Sequence, residues 1–192
     1  MKIGILTFHW ATNYGAIFQS YALQTYLSEQ GNSVDIINYK PSSGDNNICY
    51  IIKHPSLWKN YRRIWAQKKK ERLLVPFREK KLDMTDRYYT TKELNRVAEK
   101  YDVLISGSDQ VLSPSFTLYG ECGKMSSAYW LGFGDKKQKR LGYAVSFGCE
   151  KYPENATSVV KPLVNGFDAI GVREQTGLQI LDQLGYRGQK NV

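Results

Sequence analysis

Short apolar runs alternate along the chain with longer segments in which apolar residues recur every three or four positions. Continuous apolar runs are typical of strands buried on both faces, and the periodic segments are typical of helices that pack against a sheet. The pattern predicts strands over residues 2–8, 33–39, 101–106, 141–146 and 168–172, and helices over 16–30, about 57–72, 91–100, 157–165 and 175–184. This alternation predicts an α/β fold with a Rossmann-like, mostly parallel sheet that carries helices on both faces.

Some segments give weaker signals. Residues 129–133 form a short apolar run that we predict as a further strand, and Pro162 interrupts the helix predicted over 157–165. Gly31 and Gly185 stand where the first and last helices should end, as glycines often do. Another strand is expected to begin at 189–192.

Polar residues collect where four of the predicted strands end. The clusters are His9 with Asn13, Tyr14 and Gly15; Gly107 with Ser108, Asp109 and Gln110; Ser146 with Phe147 and Gly148; and Arg173 with Glu174. In a parallel sheet all four clusters lie at one edge, which is where open α/β sheets bind their ligands. The recurrence at four strand ends therefore predicts a ligand site at this edge.

The chemistry of these clusters is mixed. Asn, Gln, Asp and Ser side chains hold sugar hydroxyls, whereas Arg173 suits a phosphate or carboxylate. His9 could transfer a proton near neutral pH. Structural roles are equally open: Gly15 and Gly107 as turn glycines, Asp109 as a helix cap, and Arg173 in an ion pair with Glu174.

Other functional classes lack their signatures. The sequence has no P-loop, no G-x-G-x-x-G and no G-x-S-x-G motif. Its three cysteines are widely spaced, its two histidines lie far apart, and no run is long enough for a membrane span or resembles a signal peptide. We therefore predict no metal site, no cofactor and a cytoplasmic location.

The net charge of +9 comes from one segment. Residues 53–81 contain eleven Lys and Arg against two Glu, a surplus of nine, and we predict them to be a basic helical insertion. The basic residues could form a solvated helix face or could lie on an anionic membrane surface through 59–81. No nucleic-acid-binding motif surrounds them, so we predict no nucleic-acid partner.

Four ordered blocks resemble the polysaccharide pyruvyl transferase family. The first block contains residues 2–9, then Asn13-Tyr-Gly-Ala16 and Gln19-Ser-Tyr-Ala-Leu-Gln24; the later ones are 101–111, Tyr143-Ala-Val-Ser-Phe-Gly148 and Val172-Arg-Glu174. The resemblance implies an enzyme that transfers a pyruvyl unit from phosphoenolpyruvate to a sugar of a surface glycan. It also implies one half of a GT-B-type transferase with two Rossmann-like domains.

With this activity as the hypothesis, we assign candidate roles to the clustered residues. His9 and Arg173 would be catalytic. The substrate-binding candidates are Asn13, Tyr14, Gly15, Gln19, Gly107, Ser108, Asp109, Gln110, Ser146 and Gly148. The resemblance implies a glycan or lipid-linked saccharide acceptor as a partner. Two further expected contacts do not depend on it: the inner face of a membrane, through the basic residues 59–81, and a second copy of the chain.

The chain departs from the family pattern in two respects. Leu112-Ser113 stands where the family usually has Trp-Asn, and family members are considerably longer. Residues 1–192 are therefore expected to form the amino-terminal domain, with a second domain missing after 192. Two alternatives remain open: a catalytically inactive carbohydrate-binding or assembly module, and half of a GT-B sugar-nucleotide glycosyltransferase.

Overall fold

The computed structural model describes residues 1–41, 61–121, 123–135 and 137–192, although the side chains of 61–64 and 67 are not described. Within them six strands form one sheet in which every pair is parallel. The strands are β1 (Lys2–Leu6), β2 (Ser33–Ile36), β3 (Val103–Asp109), β4 (Lys139–Val145), β5 (Ala169–Val172) and β6 (Gln189–Asn191). The predicted α/β fold is confirmed, and the strand expected near 189 is present.

Six α-helices connect the strands in the described ranges. They are α1 (Tyr14–Glu29), α2 (Tyr61–Lys81), α3 (Thr91–Ala98), α4 (Pro114–Tyr119), α5 (Glu154–Val164) and α6 (Gln175–Leu184). The first residues of the helix predicted from about 57 lie outside the described residues. From Tyr61, helix α2 continues nine residues beyond its predicted end at 72.

The sheet separates two apolar cores. Alternate residues of β1 and β3, such as Ile5 and Ile105, pack with Leu23 of α1 on one face. Leu104 points to the opposite face and belongs to the core that contains residues of α3, α5 and α6. Helix α2 lies with α1, since the Phe77 ring contacts the Phe18 ring edge-on at a centroid distance of 5.5 Å. Helices therefore cover both faces, as predicted.

The strand order is β2-β1-β3-β4-β5-β6. The chain moves outward from β1 to β2, and the later strands add on the other side of β1. The direction therefore reverses between β1 and β3. In doubly wound sheets, the carboxyl ends of the strands at such a reversal flank the ligand crevice.

Helix α1 begins two residues earlier than predicted because Asn13 is its N-cap. The Asn13 side-chain oxygen accepts a hydrogen bond from the backbone N–H of Gly15 at 2.8 Å. An Asn at this position satisfies one of the donors that a helix start leaves unpaired. Helix α5 likewise begins earlier, at Glu154 after Pro153, instead of at 157.

The strand predicted at 129–133 is wrong. Ala128–Trp130 form a short 3-10 helix, and Leu131 follows it with a φ of 50°. The Trp130 side chain is buried, and its indole N–H donates to the Thr117 hydroxyl at 2.9 Å. A short apolar run does not distinguish a buried helical turn from a buried strand, which explains the error.

The second strand is shorter than predicted and ends at Ile36. Two isolated bridges join this part of the chain to the segment after α2: Ile36, the last residue of β2, lies opposite Met84, and Tyr39 lies opposite Tyr88. This arrangement brings residues 37–40 beside the segment that follows α2. In the described part of the chain, no helix is long and apolar enough to cross a membrane.

Gly107 in β3 provides a test of this packing. Its φ is +126°, and a Cβ at this position would overlap the Tyr143 carbonyl oxygen of the neighbouring strand. We expect Gly107→Ala to lower the free energy of unfolding by at least about 3 kcal/mol, from backbone strain and overpacking together. Urea denaturation measures this loss.

Gly31→Ala is the matched control, since Gly31 also has a positive φ, +80°, but has nothing within 4 Å of the added Cβ. Strain alone should then cost about 1 kcal/mol. If the two variants lost the same free energy of unfolding, the close approach of β3 to β4 at Gly107 would be contradicted.

Candidate functional site

Three residues close a ring of hydrogen bonds where the strand order reverses. Gln19 of α1 donates from Nε2 to the Thr7 hydroxyl at 2.8 Å, and Thr7 donates to the Ser108 carbonyl oxygen at 3.1 Å. The Ser108 backbone N–H returns to Gln19 Oε1 at 3.1 Å. Thr7 is buried, so these bonds satisfy polar groups that water does not reach. The ring fixes α1 to the carboxyl ends of β1 and β3.

The amino terminus of α1 lies beside this ring and carries three predicted site residues. The Asn13 side chain caps the helix through Gly15, as described above. The Tyr14 ring is 47% exposed and stacks on Phe18 at a centroid distance of 6.3 Å. Tyr14 therefore presents an aromatic surface at the predicted edge, whereas the Asn13 oxygen already has a partner.

The carboxyl ends of β3, β4 and β5 bring a second group together. Arg173 Nε lies 3.2 Å from a Glu174 carboxylate oxygen, and Arg173 Nη1 lies 3.9 Å from Asp109 Oδ1. The buried Ser146 hydroxyl makes a short hydrogen bond to the other Glu174 oxygen. The Arg173 side chain remains 49% exposed. A guanidinium held by two carboxylates is therefore open to solvent at this point.

Gln110 and Gly148 border this group. Asp109 Oδ1 accepts the Gln110 backbone N–H at 2.8 Å, and the Gly148 N–H donates to the Ser146 hydroxyl at 3.2 Å. Gly148 has a φ of +64°, and a Cβ there would lie 3.0 Å from the Gln110 amide. The Gln110 side chain is exposed. Four of the predicted site residues thus surround Arg173 within one network.

His9 lies apart from this group, on the β2 side of the edge. Its Nδ1 is 3.1 Å from the Thr7 carbonyl oxygen, and its Nε2 is 3.0 Å from Asn38 Oδ1. Both partner atoms are acceptors, so a neutral ring, which carries one N–H, donates to only one of them at a time.

The surroundings of His9 oppose a charge on the ring. Burial lowers the pKa of His9 to about 4; the hydrogen bonds to Asn38 and Thr7 oppose the shift, and the charges of Arg78 and Lys40 add to it. The ring is therefore neutral at pH 7. This does not support the prediction that His9 donates a proton near neutral pH.

Several residues around His9 were not singled out from the sequence. His9 and Asn38 line a cleft together with Lys40, Arg78 and Arg87. Arg78 pairs with Glu71 at 2.5 Å, and Glu71 also accepts from the Thr12 hydroxyl at 3.2 Å. The only advance signal was the basic run that contains Arg78, and it does not distinguish an inward-facing arginine from a solvated one.

The edge of the sheet therefore has two charged regions. One surrounds Arg173 at β3, β4 and β5, and the other surrounds Arg78 beside β1 and β2. Arg173 and the exposed polar groups near it can hold an anion and sugar hydroxyls. Among the described residues, no group of three or more His, Cys, Asp or Glu side chains could hold a metal ion.

Comparison with known protein families gives one match. The family model described as polysaccharide pyruvyl transferase matches residues 13–192, which include every predicted site residue except His9. Comparison with curated proteins and with solved structures gives no significant match.

The burial of His9 predicts a specific pH dependence of stability. The pKa of His9 is about 4 in the folded chain and has its ordinary value of 6.5 in the unfolded chain. As the pH falls, the unfolded chain therefore binds the proton first. The contribution of the neutral ring is present above pH 6.5 and is lost progressively down to pH 4. We expect this loss to reach about 3 kcal/mol.

Urea denaturation of the wild type and of His9→Gln between pH 7 and pH 4 isolates this contribution, because other titrating groups are shared by both proteins. The stability advantage of the wild type over the variant should shrink as the pH falls. Parallel stability curves would show that His9 is not buried in the neutral form.

Proposed function

Because the chain belongs to the polysaccharide pyruvyl transferase family, we propose that it transfers a pyruvyl unit from phosphoenolpyruvate to a sugar of a surface glycan. The family match is the observation that carries this proposal. The half-exposed Arg173 guanidinium at the carboxyl ends of β3, β4 and β5 supports it, since the donor carries both a carboxylate and a phosphate.

Arg173 is the residue that we propose to hold the donor. Its Nε is occupied by Glu174, whereas the 3.9 Å contact between Nη1 and Asp109 is longer than a hydrogen bond. An anion can approach this nitrogen. Glu174 is itself held by Ser146, so the guanidinium has a fixed orientation.

The proposed reaction joins C2 of phosphoenolpyruvate to two sugar hydroxyls and releases phosphate. A proton adds to the methylene carbon of phosphoenolpyruvate, which leaves an oxocarbenium-like centre at C2. One sugar hydroxyl attacks C2 and loses its proton. A second hydroxyl displaces the phosphate at C2 and also loses its proton, and the product is a cyclic pyruvate ketal. Of the two hydroxyl protons, one replaces the proton added to the methylene carbon and the other leaves with the phosphate. A guanidinium beside the phosphate stabilises the charge that develops as it departs.

The remaining site residues have positioning roles in this proposal. Asp109 and Gln110 orient the acceptor hydroxyls, with Asn13 and the Tyr14 ring beside them. Gly15, Gln19, Gly107, Ser108, Ser146 and Gly148 shape the backbone around them. His9 is neutral and bonded to Thr7 and Asn38, so we assign it a hydrogen-bonding role and not that of the acid.

We expect Arg173→Gln to lower kcat/KM for phosphoenolpyruvate by about a hundredfold, because an amide cannot replace the charge. Phosphate release from phosphoenolpyruvate in the presence of saccharide acceptors measures this, using the protein as its native gene encodes it. Arg187→Gln, at an exposed arginine before β6, is the control and should retain wild-type turnover.

Wild-type turnover by Arg173→Gln would remove Arg173 from the mechanism. Saccharide binding without phosphate release by the wild type would instead identify a binding module. Binding of sugar nucleotides through the nucleotide would identify a glycosyltransferase.

Helix α2 supports a second part of the proposal, contact with an anionic membrane surface. Its outer face exposes Trp65 and Leu73, which are 67% and 64% exposed, and Lys69 lies over the Trp65 ring at 5.8 Å. Lys68, Lys70 and Arg72 lie on the same stretch. Exposed Trp and Leu among basic residues suit a helix that lies in a lipid interface. A lipid-linked acceptor would be presented at that surface.

Sedimentation with vesicles of phosphatidylserine and phosphatidylcholine tests this contact. Each Lys near such a surface contributes about 1 kcal/mol, so replacing Lys68, Lys69 and Lys70 by Gln should weaken binding about a hundredfold at low salt. The control replaces three exposed basic residues of and beside α3, Lys92, Arg96 and Lys100. If the two triple variants lost vesicle binding equally, or if salt did not weaken the binding, the basic residues of α2 would form only a solvated helix face.

A further inference from the structure

A cleft of about 190 Å³ lies beneath α2 at the carboxyl ends of β1 and β2. The polar and charged groups that line it are His9, Asn38, Lys40, Glu71, Arg78 and Arg87. Glu79 also borders it and is exposed. The three cations and two carboxylates leave a net charge of +1 (3 − 2), with His9 neutral at pH 7.

Arg78 is the unusual member of this cleft. Only 6% of the residue is exposed, and its Nη2 pairs with Glu71 at 2.5 Å. Its Nε is buried and has no hydrogen-bond partner among the described residues. A buried, charged N–H without an acceptor is strongly disfavoured, so the cleft lacks one acceptor that a ligand could supply.

Two of the arginines, Arg78 and Arg87, are held in place by the fold. Arg87 donates from Nη2 to the Lys40 carbonyl oxygen at 3.2 Å, which ties the segment after α2 to the segment after β2. Glu71 is fixed by Arg78 and by the Thr12 hydroxyl. The charges therefore converge on the cleft without any ligand being needed to order them, which favours binding of an anion.

Trp10 forms a wall of this cleft and also borders a second one. The second cleft, of about 160 Å³, is lined largely by aromatic residues, with Phe116, Tyr119 and Tyr129 beside Trp10. The Tyr119 residue is 62% exposed. An aromatic surface with a few polar groups suits the apolar face of a sugar ring. The two clefts therefore offer an anion site and a ring site that share Trp10 as a lining residue.

We infer that these two clefts together bind an acidic saccharide, with its phosphate or carboxylate beside Arg78 and its ring against Trp10. The choice of a saccharide rests on the proposed function; the anion site rests on Arg78 and its neighbours alone. The Arg78 cleft lies at the carboxyl ends of β1 and β2, whereas Arg173 follows β5, so the acceptor and the donor would each have an arginine.

The test uses the full chain and three probes, glucose 1-phosphate, inorganic phosphate and glucose, at constant ionic strength. NMR titration of the His9 ring reports on the anion site, and His54→Gln leaves His9 as the chain's one histidine. The charged groups facing His9 are Lys40, Arg78 and Arg87 with Glu71 and Glu79. A bound anion should raise the pKa of His9 by about one unit. Glucose should leave that pKa unchanged.

Variants separate the two clefts. Arg87→Gln should weaken binding of both phosphate probes about tenfold, and Arg96→Gln on the outside of α3 is the matched control with no effect. Trp10→Ala should weaken glucose 1-phosphate and leave inorganic phosphate unchanged. Equal weakening of both probes by Trp10→Ala would overturn the ring site and leave only an anion site.

An unchanged His9 pKa with both phosphate probes would overturn the anion site, and with it the inference. A fourth probe, glucuronate, tests whether the site accepts a carboxylate as well as a phosphate. We expect it to bind within about tenfold of glucose 1-phosphate, and no binding would show that the site takes a phosphate alone. Arg173→Gln should keep this binding. Intact binding with no phosphate release from phosphoenolpyruvate would therefore reject the proposed function and retain the inference.

Discussion

The hydrogen bonds among Thr7, Gln19 and Ser108 hold three elements together at the point where the strand order reverses. Each bond joins residues far apart in sequence, and the buried Thr7 hydroxyl both accepts and donates. Because an unsatisfied buried polar group is costly, α1 cannot shift along the sheet without losing several bonds together. The amino terminus of α1 is therefore fixed beside the ends of β1 and β3, and the exposed polar groups have a rigid base.

The hydrogen bonds among Thr7, Gln19 and Ser108 lie between two charged regions at the carboxyl edge of the sheet. On one side Arg173 is oriented by Glu174 and Ser146 and remains half exposed. On the other side Arg78 is buried beside His9 and is paired with Glu71. Transfer between two substrates needs both to be held at once, and an edge with two separated arginines suits a reaction in which each substrate carries negative charge.

The parts of the fold that follow from local patterns were predictable from the sequence. The strand near residue 5, the helix after Asn13 and the polar clusters at Asp109 and Arg173 all follow from periodicity and from strand ends. The contacts of His9 were not predictable, because Asn38 and Arg78 reach it from distant parts of the chain. Burial by these distant segments keeps the His9 ring neutral, and the residues next to His9 in the sequence do not indicate that it is buried. The 3-10 turn at Ala128–Trp130 escaped prediction because the same apolar run fits a strand.

The most direct test of the central claim follows the reacting carbon itself. Phosphoenolpyruvate labelled with ¹³C at C2 is incubated with the native protein and its saccharide acceptor, and the product is observed by ¹³C NMR. Pyruvyl transfer predicts that the vinyl carbon signal is replaced by that of a ketal carbon attached to the saccharide, with one phosphate released per ketal formed. A C2 signal that stays vinylic, or that becomes only the ketone of free pyruvate, would contradict the account.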